Sequence, residues 1–309
     1  MLPAVQKRVL YRSIVPMRRR LILALSLIFV IGAGSIAAHF FRFGYGQCHP
    51  RRTLVSAAER ARAQRSLPNL AEVSFDGPDG VTLRGWFAPP RNGTVVILVH
   101  GLFSNRAGLL PEAEVFARHG YGVLLFDSRA HGESDGTVAT WGSREAFDIA
   151  SAIRFVKAQP QVARVALLGF SVGASAVARA AANDQTVAAV ILYATWPSLR
   201  EEISYKEPHG RVATALALLG FRAAGVEIDE IKPEADLARI SPRPLLFVAG
   251  GRDTDTPRPI MARMYASASG DKEWWLVPEA EHGGCFAAEP AEYERRVVGF
   301  LDRALAAAR

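Results

Sequence analysis

The hydrophobic positions of the chain follow three different patterns. From Leu21 to Phe41 the sequence LILALSLIFVIGAGSIAAHFF runs without a formal charge. At about 1.5 Å rise per residue it is long enough for a hydrocarbon core of roughly 30 Å. It predicts a transmembrane helix over 21–41. Arg18, Arg19 and Arg20 stand immediately before it, so 1–20 reads as a basic cytoplasmic tail and the rest of the chain as extracytoplasmic. A cleaved signal peptide is the alternative, because Ser35-Ile36-Ala37 offers small residues at a suitable spacing. The long basic lead and an apolar run exceeding about 7 to 15 residues favour a signal anchor. The interval 42–70 is polar and basic, is broken by Pro50 and Pro68, and reads as a linker with one short helix over 57–65.

From residue 71 onward the pattern changes. AEVSF and VTLRGWF flank the turn-forming DGPDG and predict a hairpin. Short apolar runs then alternate with helical stretches: TVVILVH, a helix over 111–118, YGVLLFD, a helix over 144–158, ARVALLGF, and later VAAVILYA, RPLLFVAGG and EWWLVPE. Continuously apolar strands separated by helices imply a doubly wound, mostly parallel sheet covered on both faces. The expected fold is therefore α/β, with the main domain at 71–309. The interval 197–240 breaks the rhythm with charges and an apolar ATALALLGF segment. It reads as a small lid insertion, or alternatively as a longer crossover helix.

Composition removes several function classes. The formal charge is +7, but 1–58 holds nine basic residues and no acid, leaving 28 basic against 30 acidic residues elsewhere. A near-neutral domain behind a basic leader makes no phosphate-binding face, so nucleic acid is not an expected partner. Cys48 and Cys285 are the two cysteines. They cannot form a CxxC metal pair, no metal site is expected, and two unpaired thiols or one bridge are the remaining states.

The candidate chemistry lies in loops after predicted strands. Gly169-Phe170-Ser171-Val172-Gly173 sits between ARVALLG and the helical ASAVARAAA, the strand, sharp turn and helix of a nucleophile elbow. Ser171 could instead be a helix N-cap. His100-Gly101-Leu102-Phe103 ends an upstream strand, where the Leu102 N–H would form half of an oxyanion hole and the Val172 N–H the other half. His100 itself reads as a structural histidine. GGRDTDTP follows RPLLFVA and supplies Asp253 as the acid, with Asp255 as the fallback. EAEHGGCF follows the last predicted strand and supplies His282 as general base, since an imidazole can take and return a proton near neutral pH.

In the order Ser, Asp, His these residues resemble the α/β-hydrolase superfamily. The segment Phe126-Asp127-Ser128-Arg129-Ala130-His131-Gly132-Glu133-Ser134 is similar to the D-x-R-G-H-G-x-S stretch of its serine-aminopeptidase-like and prolyl-oligopeptidase-related members, with Ala130 in place of the usual glycine. The resemblance implies an internal polar network at Asp127, Arg129 and His131. It also implies hydrolysis of a carboxylic ester, thioester or peptide without a cofactor, by an enzyme held at the bilayer through its N-terminal helix. The rival reading is a membrane-tethered, non-catalytic binding module of the same fold.

Overall fold

The computed structural model describes residues 4–207 and 209–306, with side chains from Arg18 onward. Residues 1–3 of the basic tail, Pro208 in the lid interval and 307–309 lie outside the described residues. The chain opens with one long helix, α1 (Ala4–Gln47), followed by α2 (Ala57–Ser66). Then come β1 (Ala71–Asp76), β2 (Thr82–Ala88), β3 (Thr94–Val99), α3 (Leu110–Arg118), β4 (Gly122–Phe126), α4 (Glu145–Lys157), β5 (Arg164–Phe170), α5 (Val172–Asn183) and β6 (Val187–Tyr193). After α6 (Leu199–Lys206), α7 (Arg211–Ala223) and α8 (Pro233–Ile240) the chain returns to β7 (Leu245–Gly250), α9 (Arg258–Ser267), β8 (Lys272–Val277), α10 (Cys285–Ala288) and α11 (Pro290–Ala306).

The strands form one sheet in the order β1-β2-β4-β3-β5-β6-β7-β8. Only β2 runs antiparallel to its neighbours, β1 and β4. Successive side chains of a strand point to opposite faces. Val96 and Leu98 accordingly enter the core beneath α2, α3 and α11, while Val95, Ile97 and Val99 enter the one beneath α4, α5, α8 and α9. Two filled faces explain why the central strands are apolar throughout rather than alternating. The connections leaving β3 and returning to β5 run in opposite directions along the sheet, so the strand order reverses between these two neighbours. In an open α/β sheet the crevice outside that switch point is where ligands bind.

One interval departs from its sequence reading. The stretch 42–70 is not a loose linker. Cys48, Ala63 and Leu67 are buried in the cores, and the Arg52 guanidinium donates to the carbonyls of Gly132, Ser134 and Gly136. The Trp141 indole donates to Gln47 O at 3.2 Å and Ala139 N to Cys48 O at 2.8 Å. Its polar composition concealed this because arginines that bond to backbone carbonyls look, in a sequence, like solvated ones. Ser56 and Glu59 cap α2 reciprocally, with Glu59 N donating to Ser56 Oγ at 3.2 Å and Ser56 N to Glu59 Oε2 at 2.7 Å. Ser56→Ala is therefore expected to lower global stability by about 1 kcal/mol in urea unfolding. A freely hanging segment would show no change.

The interval 197–240 is not one long crossover helix. Leu237 and Ile240 of α8 pack with α5 in the sheet core. Leu199 and Ile203 of α6, with Ala217, Leu218 and Phe221 of α7, join a third cluster that also contains Trp141, Trp196 and Val172.

Candidate active site

Ser171 stands between β5 and α5 with φ 55° and ψ −120°, a conformation that costs a residue with a Cβ about 1 to 3 kcal/mol. The turn closes because both flanking positions lack side chains. A Cβ on Gly169 would fall 2.5 Å from Gly173 O, and one on Gly173 would fall 2.3 Å from Val99 O. Ser171 does occupy the N-cap position of α5, but it makes no side-chain capping bond. Its Oγ lies 3.0 Å from His282 Nε2 instead.

His282 follows β8, and its Nδ1 lies 2.8 Å from Asp253 Oδ2. The other oxygen of Asp253 accepts from Asp255 N at 2.9 Å and Thr256 N at 2.7 Å. Two backbone donors and the imidazole thus hold one buried carboxylate. That arrangement leaves the Nδ1 proton on the acid side and the Nε2 lone pair facing the serine. Asp255, the fallback acid, points elsewhere: it is half exposed and lies 3.6 Å from Lys206 Nζ. The Phe170 ring packs against His282 with centroids 4.8 Å apart.

Val172 is the first residue of α5, so its N–H points out of the helix N-terminus, where the macrodipole favours negative charge. Leu102 follows Gly101, and a Cβ on Gly101 would lie 2.9 Å from the Phe170 ring and 3.3 Å from Ser171 Cβ. That close approach brings the loop after β3 against the elbow. Neither the Leu102 nor the Val172 N–H has a partner among the described residues.

The family model for the serine aminopeptidases, S33, matches residues 90–232. The uncharacterized protein Rv2307c of Mycobacterium tuberculosis is 30% identical over 234 residues, covering 74% of this chain and 77% of that one. The uncharacterized protein YfhR of Escherichia coli O157:H7 is 29% identical over 245 residues, covering 75% and 81%. The solved structure of the Pyrococcus furiosus esterase Pf2001 superposes with a TM-score of 0.71 at 24% identity, covering 83% of this chain and 98% of that one. This chain belongs to the α/β-hydrolase superfamily.

Around the elbow of this hydrolase stands a buried polar frame. His100 accepts from Ser128 N through Nε2 at 3.0 Å, while its Nδ1 lies 2.7 Å from Gly101 O. Those partners fit only the neutral ring protonated at Nδ1. Burial, reinforced by the neighbouring His131, pushes its pKa down to about 3. The unfolded chain therefore binds one more proton than the folded one between about pH 6.5 and 3, so this group's stabilisation shrinks as pH falls through that window. The stability advantage of the wild type over His100→Gln should decline there by up to about 1.4 kcal/mol per pH unit. Parallel urea titrations of both proteins would measure it, and a constant difference would show that His100 does not titrate this way.

The side chains of Asp127, Arg129 and His131 do not pair with one another, although His131 Nδ1 lies 2.9 Å from the Arg129 carbonyl oxygen. Asp127 pairs with Arg106 and Arg129 with Asp148, in both cases inside the core. Ala130 keeps a left-handed φ of 63°, so the turn persists without the glycine common in the superfamily. A buried carboxylate near the site, Glu202 on α6, was not legible in the sequence. Burial raises its pKa to about 7 against the opposing pull of Lys206, 3.3 Å away. With Trp196 and Ile260 it lines an open cleft of about 440 Å³ between α6 and α9. Single glutamates on amphipathic helices carry no pattern that separates this placement from a solvated one. Among the described residues no group of three or more His, Cys, Asp and Glu could hold a metal ion. Cys48 and Cys285 are both free and buried.

Proposed function

We propose that this hydrolase is a membrane-anchored serine hydrolase that cleaves a carboxylic ester, thioester or amide through an acyl-enzyme. The observation that carries the reading is the unbroken chain from Asp253 Oδ2 through both imidazole nitrogens of His282 to Ser171 Oγ. In this reading His282 Nε2 takes the Ser171 proton as Oγ attacks the carbonyl carbon. The Leu102 and Val172 N–H groups hold the oxygen that becomes negative, a role in which one donor is typically worth about 3 to 4 kcal/mol. The imidazolium, stabilised by Asp253, returns the proton to the leaving group. Water then attacks the acyl carbon by the same route in reverse. No step calls for a cofactor.

The anchor is α1, whose segment from Arg18 to Gln47 is long and apolar enough to cross a bilayer. With Arg18, Arg19 and Arg20 on the cytoplasmic side, the catalytic domain lies on the extracytoplasmic side. An esterase among the structural neighbours makes activated esters the first substrates to test. Incubation of the full chain with a fluorophosphonate, followed by peptide mass spectrometry, is expected to find the adduct on Ser171 and to find none in His282→Ala. Well-folded protein that takes no label would instead support the binding module.

A further inference from the structure

The N-terminal helix does not leave the domain where its apolar run ends. Its last turns lie against α7 with backbones in contact. A Cβ built on Gly44 would fall 1.9 Å from Ala217 O, and one on Gly220 would fall 2.2 Å from Phe41 O and 2.5 Å from Tyr45 N. Small residues at such a crossing allow two helices to approach this closely. The contact sets the height of α7 relative to any bilayer that α1 crosses. Gly44 comes three residues after Phe41, which is roughly 4.5 Å further along a helix. The joint therefore sits at the level where the apolar run stops.

One side of α7 is covered by α1 and by the cluster around Ala217, Leu218 and Phe221. The uncovered side is apolar: Val212 is 75% exposed and Leu219 49% exposed, with Ala215 also exposed between them. These positions, spaced three and four apart, form a single stripe. Arg211 and Arg222 are exposed at its two ends, and Phe41 and Tyr45 add exposed aromatic rings from α1 beside it. An apolar stripe ended by arginines and flanked by aromatic rings suits the boundary between lipid headgroups and acyl chains.

We propose that α7 is a bilayer-contacting helix, with Val212, Ala215 and Leu219 resting in the headgroup and acyl boundary beside the point where α1 emerges. The inference rests on α1 being a membrane span. Because α7 shares its buried cluster with Val172 and Leu102, the membrane-facing element packs into the same core as the two candidate oxyanion donors. The active site is thereby held against the lipid surface and does not swing on a tether.

The test uses the full chain in phosphatidylcholine vesicles with a minority of phosphatidylglycerol. Leu219→Cys, Ile31→Cys and Asp271→Cys each carry a thiol-linked environment-sensitive fluorophore at an exposed position. The native Cys48 and Cys285 stay unlabelled, since burial pushes both thiols up to about 12. Nitroxide lipids then act as quenchers. The Ile31 label should lose emission to a nitroxide deep in the acyl chain, and the Leu219 label to one near the headgroup by a comparable fraction. The Asp271 label, at the amino end of β8 and so away from the carboxyl ends of the strands, should be quenched by neither. A Leu219 label as insensitive as that at Asp271, with Ile31 still quenched, overturns the α7 contact and leaves the span intact. Energy transfer between labelled copies at Leu219 without lipid quenching overturns it in favour of a second copy on this face. An unquenched Ile31 label removes the span and the α7 contact together.

Discussion

Ser171→Ala is expected to lower turnover of an activated ester by about 10⁴- to 10⁶-fold while leaving the protein folded. Alanine keeps the Cβ and the φ of 55°, so the elbow and its packing persist. Only the oxygen 3.0 Å from His282 Nε2 is lost. Residual catalysis would come from the Leu102 and Val172 N–H groups acting on water attack, which sets the floor of the effect. Ser171→Gly should be as inactive as alanine and melt at a higher temperature, because glycine takes the left-handed conformation without the penalty a Cβ incurs. Steady-state assays and thermal scans on the three proteins separate the two effects. Turnover within about tenfold of wild type in Ser171→Ala would exclude this serine as the nucleophile, since a triad nucleophile contributes far more.

Asp127→Ala is expected to cost about 3 to 5 kcal/mol of stability, the largest loss among the folding variants considered. The Asp127 carboxylate is fully buried and accepts from Arg106 N at 2.6 Å, Arg106 Nη1 at 2.8 Å and Glu133 N at 2.8 Å. Burial raises its pKa and Arg106 opposes that rise, so the intact pair contributes little over an apolar pair of the same shape. Breaking it is another matter. Alanine would leave two backbone N–H groups unpaired and the Arg106 guanidinium buried over the Trp86 ring, with the partly exposed Glu133 as its remaining carboxylate. Urea unfolding should show a lower midpoint at an unchanged slope. A shift below about 1 kcal/mol would mean that the site relaxes to let water reach Arg106. The same loop supplies Ser128 N to His100, so the variant should also lose activity by loosening the turn that carries Leu102.

Much of the domain was legible because its signals are local. The apolar strands, the hairpin at DGPDG and the helices over 111–118 and 144–158 were read from periodicity and turn residues, and each appears within about two residues of its expected place. The glycines around Ser171 mark the elbow for a steric reason visible in five residues. The stretch 42–70 was misread for an equally physical reason. Its composition fits a solvated linker, and its burial depends on carbonyls about 80 residues away that no local pattern encodes.

By itself, then, the sequence determined the secondary elements, the long apolar helix and the order of Ser171, Asp253 and His282 along the chain. These follow from side-chain periodicity, glycine sterics and loop position, all properties of short stretches. The tertiary structure decided between the preferred Asp253 and the fallback Asp255, since only the folded loop after β7 sets Asp253 2.8 Å from the imidazole and turns Asp255 toward Lys206. It decided that Asp127 and Arg129 find their counterions in Arg106 and Asp148 rather than in each other. It also decided that α1 ends against α7 and not in a tether. Each of these is a pairing between distant segments, fixed by the strand order and by how closely two backbones can approach, and neither quantity is present in the residues taken one stretch at a time.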